Sequence, residues 1–436
     1  MKKTIYTLFA LFLAQQTWAQ NIDKIITRPY VDRLIKTLSS DEMQGRATFS
    51  PGIDKAASFI EAEFKSIGLK PLEGNTFRQS FFQQKLKPLS TKVIIDGKEI
   101  EGANVLVYGN TVEHLVFDKS NSGGWLKLDP EKPFMAQIRA LSKENKKQLI
   151  LVDPKFADIF KRIKDYLAGG AEIDEKKANE PSSALVLVMG EETVATDFKV
   201  EVKSKLEKLS LFNVAGVIPG KSKAKELVVF SGHYDHLGII KNNDGQDSIA
   251  NGADDDASGT TAMIALAKYY KKLNNNERTL IFVAFTAEEI GGFGAKHFSQ
   301  KLNPDEVVAM FNIEMIGKDS KFGKNTAFIT GFDKSDFGKI LQKNLEGTEF
   351  TFHPDPYPQQ NLFYRSDNAT LAALGVPAHT ISTDQIDSDK FYHTVKDEYE
   401  TLDADNILST IKGIAKSAIS IIKGIDTPTR IPKLSN

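Results

Sequence analysis

Residues 252–259 read GADDDASG and place three consecutive aspartates, Asp254, Asp255 and Asp256, between small residues. Adjacent carboxylates repel one another, so such a run stabilises neither a helix nor a strand. An acidic run in a polar loop usually faces water, and a solvated turn is the simplest interpretation. Binding of cations is the alternative, because bound cations would remove the repulsion.

Histidines and carboxylates also follow several apolar runs that have the composition of buried strands. They are His233, Asp235 and His236 after ELVVFSG (226–232), Glu288 and Glu289 after TLIFVAFT (279–286), Glu314 within VVAMFNIEM (307–315), and His393 in FYHT further along. One carboxylate at a strand end is unremarkable, whereas this many metal-ligand side chains predict a common site.

A pair of divalent cations accounts for these residue types. One carboxylate can bridge two cations, and two zinc ions need two imidazoles, the bridging carboxylate and one or two further carboxylates. The chain has seven His and no Cys, so any metal must be held by His, Asp and Glu. Gly252 and Gly259 would let the acidic loop turn sharply beneath the metals.

The elements that position these residues form an alternating pattern. From about residue 208, apolar β-branched runs, including TAFITG (326–331), alternate with helical patterns. Ser258 is a candidate helix cap, and another helix is predicted from Ala287. The pattern predicts an α/β fold with a mostly parallel (mixed) central sheet and helices on both faces. Open sheets of this kind bind ligands at the carboxyl ends of their strands.

The earlier part of the chain contains no comparable chemical motif. Asp54 is a candidate cap for a helix that ends at Gly68, and TFRQSFFQQ (76–84) is typical of a strand. Residues 85–207 alternate short strand-like runs with Lys-rich helical stretches such as FADIFKRIKDYL (156–167). We interpret residues 85–207 as an inserted smaller α/β or β-rich domain, or a lid.

Composition and the N-terminal residues bear on location. With 41% hydrophobic residues and a formal net charge of -1, nothing indicates a nucleic-acid or anionic-membrane partner. The start, MKKTIYTLFALFLAQQTWAQ, predicts a secretory signal peptide cut after Ala19. Its apolar stretch is too short for a membrane anchor. We therefore expect an exported, soluble protein of the periplasm or the external medium.

The segments HYDHLG, NGADDDASG, TAEEIGGFG, NIEMIGK and YHT, in this order, resemble the co-catalytic zinc aminopeptidase family. That family also includes glutamate carboxypeptidases and glutaminyl cyclases. DEMQGR (41–46) and the helix after it resemble the family's N-terminal region. The resemblance implies a zinc exopeptidase-like fold and covers 208–425 and 30–82. Together with the patterns above, it divides the chain into signal peptide 1–19, N-terminal part of the peptidase domain 20–84, insert 85–207, catalytic domain 208–425 and C-terminal tail 426–436.

The resemblance also implies the ligands of two divalent metal ions, expected to be zinc. Asp255 would bridge the two ions. His233 and Glu314 would complete the ligands of one ion, and Glu289 and His393 those of the other.

Further roles come from the same resemblance. Glu288 would be the general base, and the Asp235 carboxylate would orient the His233 imidazole. The Asp255–Asp256 peptide bond would be cis. We interpret His236 as a packed or hydrogen-bonded neighbour, and Asp254 and Asp256 as structural residues that bond backbone amides of their own loop.

The run YRSDNATLAALGVP departs from the family pattern, because Asn368 stands where His is usual. This position is not among the five metal ligands, so hydrolysis should survive the change. Tyr364, Arg365 and Asp367 are candidates for substrate binding in this corner.

The function implied is that of a secreted metal-dependent exopeptidase acting on peptides, foremost an aminopeptidase that hydrolyses N-terminal peptide bonds. Alternatives on the same scaffold are a carboxypeptidase or dipeptidase, for which Arg365 could bind the terminal carboxylate, and a glutaminyl cyclase. A more distant alternative is a non-catalytic binding protein.

Overall fold

The structure is a computed structural model that describes residues 22–110, 112–173, 184–190, 195–240 and 247–434. The predicted signal peptide, residues 1–19, lies outside the described residues. The chain divides into two compact units, one formed by Met1–Phe81 and Leu211–Asn436 and the other by Phe82–Ser210. In the described part of the chain, no helix combines the length and the apolar character needed to cross a membrane.

The strands, numbered along the chain, are β1 (Lys70–Pro71), β2 (Arg78–Ile95), β3 (Lys98–Glu99), β4 (Val105–Tyr108), β5 (His114–Asp118), β6 (Trp125–Lys127), β7 (Gln148–Val152), β8 (Ala171–Ile173), β9 (Leu185–Met189), β10 (Phe198–Ile218), β11 (Lys223–His233), β12 (Gly238–Ile239), β13 (Ile249–Ala250), β14 (Arg278–Phe285), β15 (Val307–Ile313), β16 (Thr326–Ile329), β17 (Thr351–Pro354) and β18 (Ala378–Ser382).

The α-helices are α1 (Arg28–Leu38), α2 (Pro51–Ile67), α3 (Phe134–Ser142), α4 (Ala157–Ala168), α5 (Gly259–Leu273), α6 (Phe293–Lys301), α7 (Phe337–Asn344), α8 (Asn368–Ala373), α9 (Ala404–Ser417) and α10 (Ile419–Ile422). Short 3₁₀ turns include Asp41–Arg46, which is interrupted at Gln44 and Gly45, and Leu362–Tyr364. An irregular turn spans Ala253–Ser258, in which Asp255 and Asp256 have non-helical backbone angles. The acidic run therefore lies directly before α5.

The first unit is organised around a mixed sheet in the order β17-β16-β18-β15-β11-β14-β10. The central strand β11 is parallel to β14 and β15, and β15 is parallel to β18. Strand β10 is antiparallel to β14, and β16 is antiparallel to β18. The predicted α/β class with a mixed central sheet is confirmed.

Helices cover both faces of this sheet. Successive strand residues point to opposite sides, so a continuously apolar strand gives both faces apolar surface to be covered. Val228 and Phe230 of β11 belong to one apolar cluster, which also contains Leu266 of α5. Val229 between them belongs to another cluster, which contains Phe298 of α6 and residues of α8. All three β11 side chains are fully buried, so an uninterrupted apolar run is what this strand requires.

The parallel register brings the polar strand ends to one edge. His233 is opposite Phe285, and Ser231 is opposite Asn312. Ile313, which directly precedes Glu314, is opposite Ile381. The residues that follow β11, β14 and β15 therefore leave the sheet side by side.

Three local predictions are wrong. The cap of α2 is Ser50 rather than Asp54, because Pro51 occupies the first helical position and leaves Asp54 in the first turn. The helix expected from Ala287 begins at Phe293, after turns in which Ala287, Gly291 and Gly292 have positive φ. Ser258 directly precedes α5 but caps no amide of that helix, because its hydroxyl accepts from Ile316 N at 3.0 Å and donates to the Asp254 carbonyl at 2.8 Å.

The second unit, Phe82–Ser210, contains a four-stranded sheet in the order β4-β9-β7-β6. Strand β7 is parallel to β6 and β9, whereas β4 is antiparallel to β9. Helices α3 and α4 contribute Ile138 and Phe160 to an apolar cluster with Ile150 of β7. Within the same unit β5 pairs with β10 and β8 pairs with β2.

Candidate active site

The predicted bridging carboxylate, Asp255, lies between two imidazoles. His233 Nε2 is 3.1 Å from Asp255 Oδ1, and His393 Nε2 is 3.2 Å from Asp255 Oδ2. His393 Nε2 is also 3.0 Å from Glu289 Oε2. Each oxygen of the Asp255 carboxylate therefore contacts a different histidine, although His233 and His393 are 160 positions apart in the sequence.

The remaining predicted residues line the same cavity, which has a volume of about 360 Å³. The acidic and imidazole side chains in its wall include Asp255, Glu288, Glu289, Glu314 and His393. His233 joins them through its contact with Asp255. The structure thus brings together every residue that the sequence predicted as a metal ligand or general base.

Glu314 is held by hydroxyl and amide donors. Ser366 Oγ donates to Glu314 Oε2, and Asn312 Nδ2 lies 3.4 Å from the same oxygen. Asn312 Nδ2 also donates to Ser366 Oγ at 2.7 Å, so the three side chains form one network. Ser366 was not singled out from the sequence, although it sits inside the YRSD run.

Asp256 is structural, as predicted, but the amides that it binds lie mostly outside its own loop. Its Oδ2 accepts from His233 N at 3.1 Å, and its Oδ1 accepts from Met315 N at 3.1 Å and Gly259 N at 3.0 Å. One buried carboxylate therefore fastens the ends of β11 and β15 to the acidic segment. The Asp255–Asp256 peptide bond is cis, as the resemblance implied.

The Asp235 carboxylate binds backbone amides of the neighbouring strand end. Oδ1 accepts from Glu288 N at 3.1 Å, and Oδ2 accepts from Glu289 N at 3.4 Å. The nearest carboxylate oxygen is 3.9 Å from His233 Nδ1, which is longer than a hydrogen bond. The closer acceptor for that nitrogen is the Asp235 backbone carbonyl, at 3.1 Å. The Asp235 carboxylate therefore positions Glu288 and Glu289. The prediction that this carboxylate orients the His233 imidazole is wrong, because the backbone carbonyl of Asp235 occupies that place.

Arg46 lies beneath the acidic loop and was not identified from the sequence. Its guanidinium is fully buried. It donates to the carbonyls of Tyr234, Leu38, Asn251 and Gly252 at 2.5–2.9 Å. The DEMQGR segment, which carried part of the family resemblance, was the available signal.

His236 contacts the site from one side. Its Nδ1 is 2.7 Å from Glu289 Oε1 and 3.8 Å from Asp255 Oδ2. The contact with Glu289 fits the predicted hydrogen-bonded neighbour. Donor atoms of His236, Asp255 and Glu289 lie within 4.8 Å of one another, so this trio is a geometrically possible ligand set that was not predicted from the sequence.

Within the YRSDN segment (364–368), some residues line the cavity and others are buried behind it. Arg365 lines the cavity, and its Nη1 is 3.3 Å from Gln360 Oε1. Tyr364 packs against Phe363 with ring centroids 4.7 Å apart. Both carboxylate oxygens of the buried Asp367 lack a hydrogen-bond partner among the described residues.

Asn368 is a satisfied core residue. Its Nδ2 donates to the carbonyls of Phe363 and Ala378 at 3.0 and 3.1 Å, and its Oδ1 accepts from Thr380 Oγ1 at 2.9 Å. An amide supplies both donors and an acceptor here. The departure from the family pattern is therefore accommodated by the packing of α8 against β18.

The two key carboxyls have opposite electrostatic surroundings. Burial acts to raise the pKa of Asp255, but contacts with His233 and His393 hold it well below its usual value. Burial raises the pKa of Glu288 well above its usual value, against the opposing charge of His233, with Glu314 and Asp367 adding to the rise. Divergent pKa values of neighbouring carboxyls are typical of catalytic sites.

Left-handed backbone conformations occur at three non-glycine residues of the site. The φ angles are 59° at Ala287, 50° at Met315 and 57° at His393. Ala287 precedes Glu288, and Met315 follows Glu314. Such conformations are unfavourable for residues with a Cβ and persist where the surroundings enforce them.

The donor set has the chemistry of a divalent metal site. His233 Nε2 is buried without a hydrogen-bond partner among the described residues, although it faces the Asp255 carboxylate. Nitrogen and oxygen donors 3.0–3.2 Å apart are compatible with ligands of one shared ion. Imidazoles with carboxylates, in the absence of thiolates, are a usual zinc ligand set.

Residues 213–418 match the model of peptidase family M28, and this span includes every one of the proposed ligands. The chain therefore contains a peptidase family M28 domain.

Curated relatives match roughly half of the chain. Leucine aminopeptidase 1 of Pyrenophora tritici-repentis is 28% identical over 211 residues, which is 45% of this chain and 52% of the relative. Aminopeptidase YwaD of Bacillus subtilis is 21% identical over 238 residues, or 51% of this chain and 47% of the relative. The chain thus spans about half the length of these relatives.

Solved structures resemble nearly the whole chain. An aminopeptidase from Aneurinibacillus sp. strain AM-1 aligns with a TM-score of 0.55 at 19% identity, covering 95% of this chain and 97% of that one. A zinc aminopeptidase from Bacillus subtilis aligns with a TM-score of 0.54 at 15% identity, covering 91% and 95%. At these identities the similarity is one of fold.

Proposed function

We propose that this protein is a zinc-dependent aminopeptidase that hydrolyses the N-terminal peptide bond of peptides. The observation that carries the proposal is the placement of Asp255, whose two oxygens contact different imidazoles beside a cavity lined by three glutamates. Asp255 would bridge two ions. His233 with Glu314, and Glu289 with His393, would complete the two ligand sets.

When bound, a zinc pair supplies Lewis acidity toward a peptide carbonyl and toward water. The chain's residues hold the reacting groups in place. Asp235 positions Glu288 and Glu289 through their backbone amides, and Ser366 holds the Glu314 carboxylate. Oriented groups of this kind lower the barrier by removing the cost of bringing reactants together.

Glu288 would transfer the proton. It lines the cavity, and its backbone is fixed by Asp235. Its raised pKa suits a carboxyl that accepts a proton from the attacking water and then donates it to the leaving amine. Glu289, one residue later, contacts both His236 and His393 and is thereby committed to the ligand set.

An exopeptidase fits the cavity better than an endopeptidase. A volume of about 360 Å³ is at the small end of ligand sites and accommodates one or two residues. The relatives named as aminopeptidases support cleavage at the N-terminus.

A carboxypeptidase is the second candidate because Arg365 stands in the cavity wall and could bind a terminal carboxylate. Glutaminyl cyclisation is a third possibility on the same scaffold. One peptide that begins with Gln distinguishes the three by product mass. An aminopeptidase removes the first residue, a carboxypeptidase removes the last, and a cyclase releases only ammonia. We expect the first outcome, with all cleavage abolished by a chelator.

The proton-transfer role is tested by Glu288→Gln. The variant should keep its zinc content but lose turnover by at least about 10²–10⁴-fold. Glu306→Gln, which changes an exposed glutamate of the same unit, is the matched control and should retain full activity. Full activity in a folded, zinc-loaded Glu288→Gln protein would exclude this role.

We also propose that residues 1–19 direct export and that the mature protein begins at Gln20. N-terminal sequencing of the protein recovered from outside the cytoplasm tests this. Recovery of the uncut chain from the cytoplasm alone contradicts it.

A further inference from the structure

A second group of carboxylates lies beside the proposed zinc pair and contains no histidine. Ligand-capable oxygens of Asp254, Asp384 and Asp389 lie within 4.8 Å of one another. Asp254 belongs to the acidic segment. Asp384 and Asp389 belong to the loop that leads from β18 to His393.

Two of these carboxylates have buried oxygens without partners. Asp254 is fully buried; its Oδ1 accepts from Gly317 N at 2.6 Å and Ser258 Oγ at 3.2 Å, whereas its Oδ2 has no hydrogen-bond partner among the described residues. Asp384 is 4% exposed, and its Oδ1 likewise lacks a partner within the described chain. Buried unpaired carboxylate oxygens are costly unless something compensates them.

Lysine compensates only part of this charge. Lys318 Nζ is 4.0 Å from Asp254 Oδ2 and 3.7 Å from Asp397 Oδ1, so one ammonium is shared by two carboxylates. In the described part of the chain, Asp384 and Asp389 form no ion pair. Burial, with the nearby charges of Asp254 and Asp389, raises the pKa of Asp384 to about 8.

We propose that Asp254, Asp384 and Asp389 bind one hard divalent cation of the Ca²⁺ type, separate from the zinc pair. The donor set consists of oxygen alone, which favours Ca²⁺ over zinc. Asp389 is only partly buried and leaves the group open for ion entry and for water ligands. The ion links the acidic segment that holds Asp255 to the loop that holds His393.

The test uses the full chain reconstituted with zinc and freed of other metals, titrated with Ca²⁺ by calorimetry while zinc content is followed by mass spectrometry. The expected result is one saturable Ca²⁺ site, a rise in Tm and unchanged zinc content. Asp389→Asn and Asp384→Asn should weaken Ca²⁺ binding by about tenfold or more. The readout does not depend on peptide cleavage, so it is independent of the proposed function.

Asp387→Asn is the matched control, because it removes the same charge from an exposed position of the same loop. It should bind Ca²⁺ as the unaltered protein does. Absence of Ca²⁺ binding by the unaltered protein overturns the proposal. So does equal binding by folded Asp389→Asn, or Ca²⁺ binding that releases zinc.

Discussion

Glu289 meets two histidines, and only one of them was predicted to share a metal ion with it. His393 Nε2 is 3.0 Å from Oε2, and His236 Nδ1 is 2.7 Å from Oε1. We predict that His393→Gln loses about half of the bound zinc, because it removes a ligand. His236→Gln removes a hydrogen bond to a ligand and should retain the full zinc content.

Zinc content of the two purified variants, measured by atomic absorption, decides the assignment. Loss of zinc from His236→Gln with retention in His393→Gln would reverse the two roles. The comparison is internally matched, since both changes replace one imidazole near the same carboxylate.

Ser366 supports Glu314 without belonging to the ligand set. We predict that Ser366→Ala lowers zinc affinity by about tenfold, because the Glu314 carboxylate loses the hydroxyl that orients it. Competition with a chromogenic chelator measures this. Ser388→Ala removes an exposed hydroxyl that bonds the Gln385 carbonyl at 3.2 Å, and this variant should show unaltered affinity.

Residue types at the strand ends indicated a common site, and the resemblance to the family supplied which of these side chains would converge as ligands. The supporting contacts were not predictable. Asp256 binds amides of residues 233 and 315, and Arg46 binds carbonyls more than 180 positions away. Such partners depend on tertiary placement, which local sequence patterns do not contain.

At the scale of elements, register explains the site. Strands β11, β14 and β15 are parallel neighbours, so their carboxyl ends supply His233, Glu288 and Glu314 to one edge. These strands were predicted from their long apolar runs in the sequence. The helix after β14 was misplaced because the turn at 287–292 has left-handed residues that helical periodicity cannot indicate.

Arg46 connects the 3₁₀ segment 41–46 with the acidic loop. We predict that Arg46→Met lowers the free energy of unfolding by about 3 kcal/mol, because four buried carbonyls lose their donors. Arg33→Met is the control; this side chain is 47% exposed and pairs with Glu63 at the edge of the structure's buried region. Its loss should cost less than about 1 kcal/mol.

Urea unfolding of zinc-free protein compares the two variants without metal-ligand effects. Equal destabilisation by Arg46→Met and Arg33→Met would contradict the structural role of Arg46.

At the scale of the whole molecule, each compact unit has its own apolar clusters. The first unit contains clusters built on Phe230 and on Val229, and the second contains clusters built on Phe117 and on Ile150. We predict two calorimetric transitions, of which only one is lowered by a chelator, since metal binding stabilises the unit that holds the ligands. A single transition that shifts as a whole would contradict this.

The buried imidazole of His379 makes the stability of the fold depend on pH. Its Nδ1 donates to the Thr330 carbonyl at 2.8 Å, and its Nε2 is 2.8 Å from Ser335 Oγ. Burial lowers the pKa of this imidazole to about 4, with Lys334 adding to the effect against the Thr330 bond. The unfolded chain binds the proton near pH 6.5, so stability is full above that pH and falls as pH drops toward 4.

Protonation of His379 lowers the free energy of unfolding by about 3 kcal/mol between pH 7 and pH 4. Urea unfolding of zinc-free protein at both pH values should therefore show a smaller loss of stability for His379→Gln than for the unaltered chain. Identical losses in the two proteins would contradict the assignment.

The buried guanidinium of Arg46 also sets where the chain can be cut. A fragment limited to residues 213–418, the span that matches the family, would lack this side chain and leave the carbonyls of Tyr234, Asn251 and Gly252 facing a hole. It would also lose α1 and α2, whose Leu34 and Ile60 complete the apolar layer over α5. Any shortened version intended for expression should therefore begin upstream of α1.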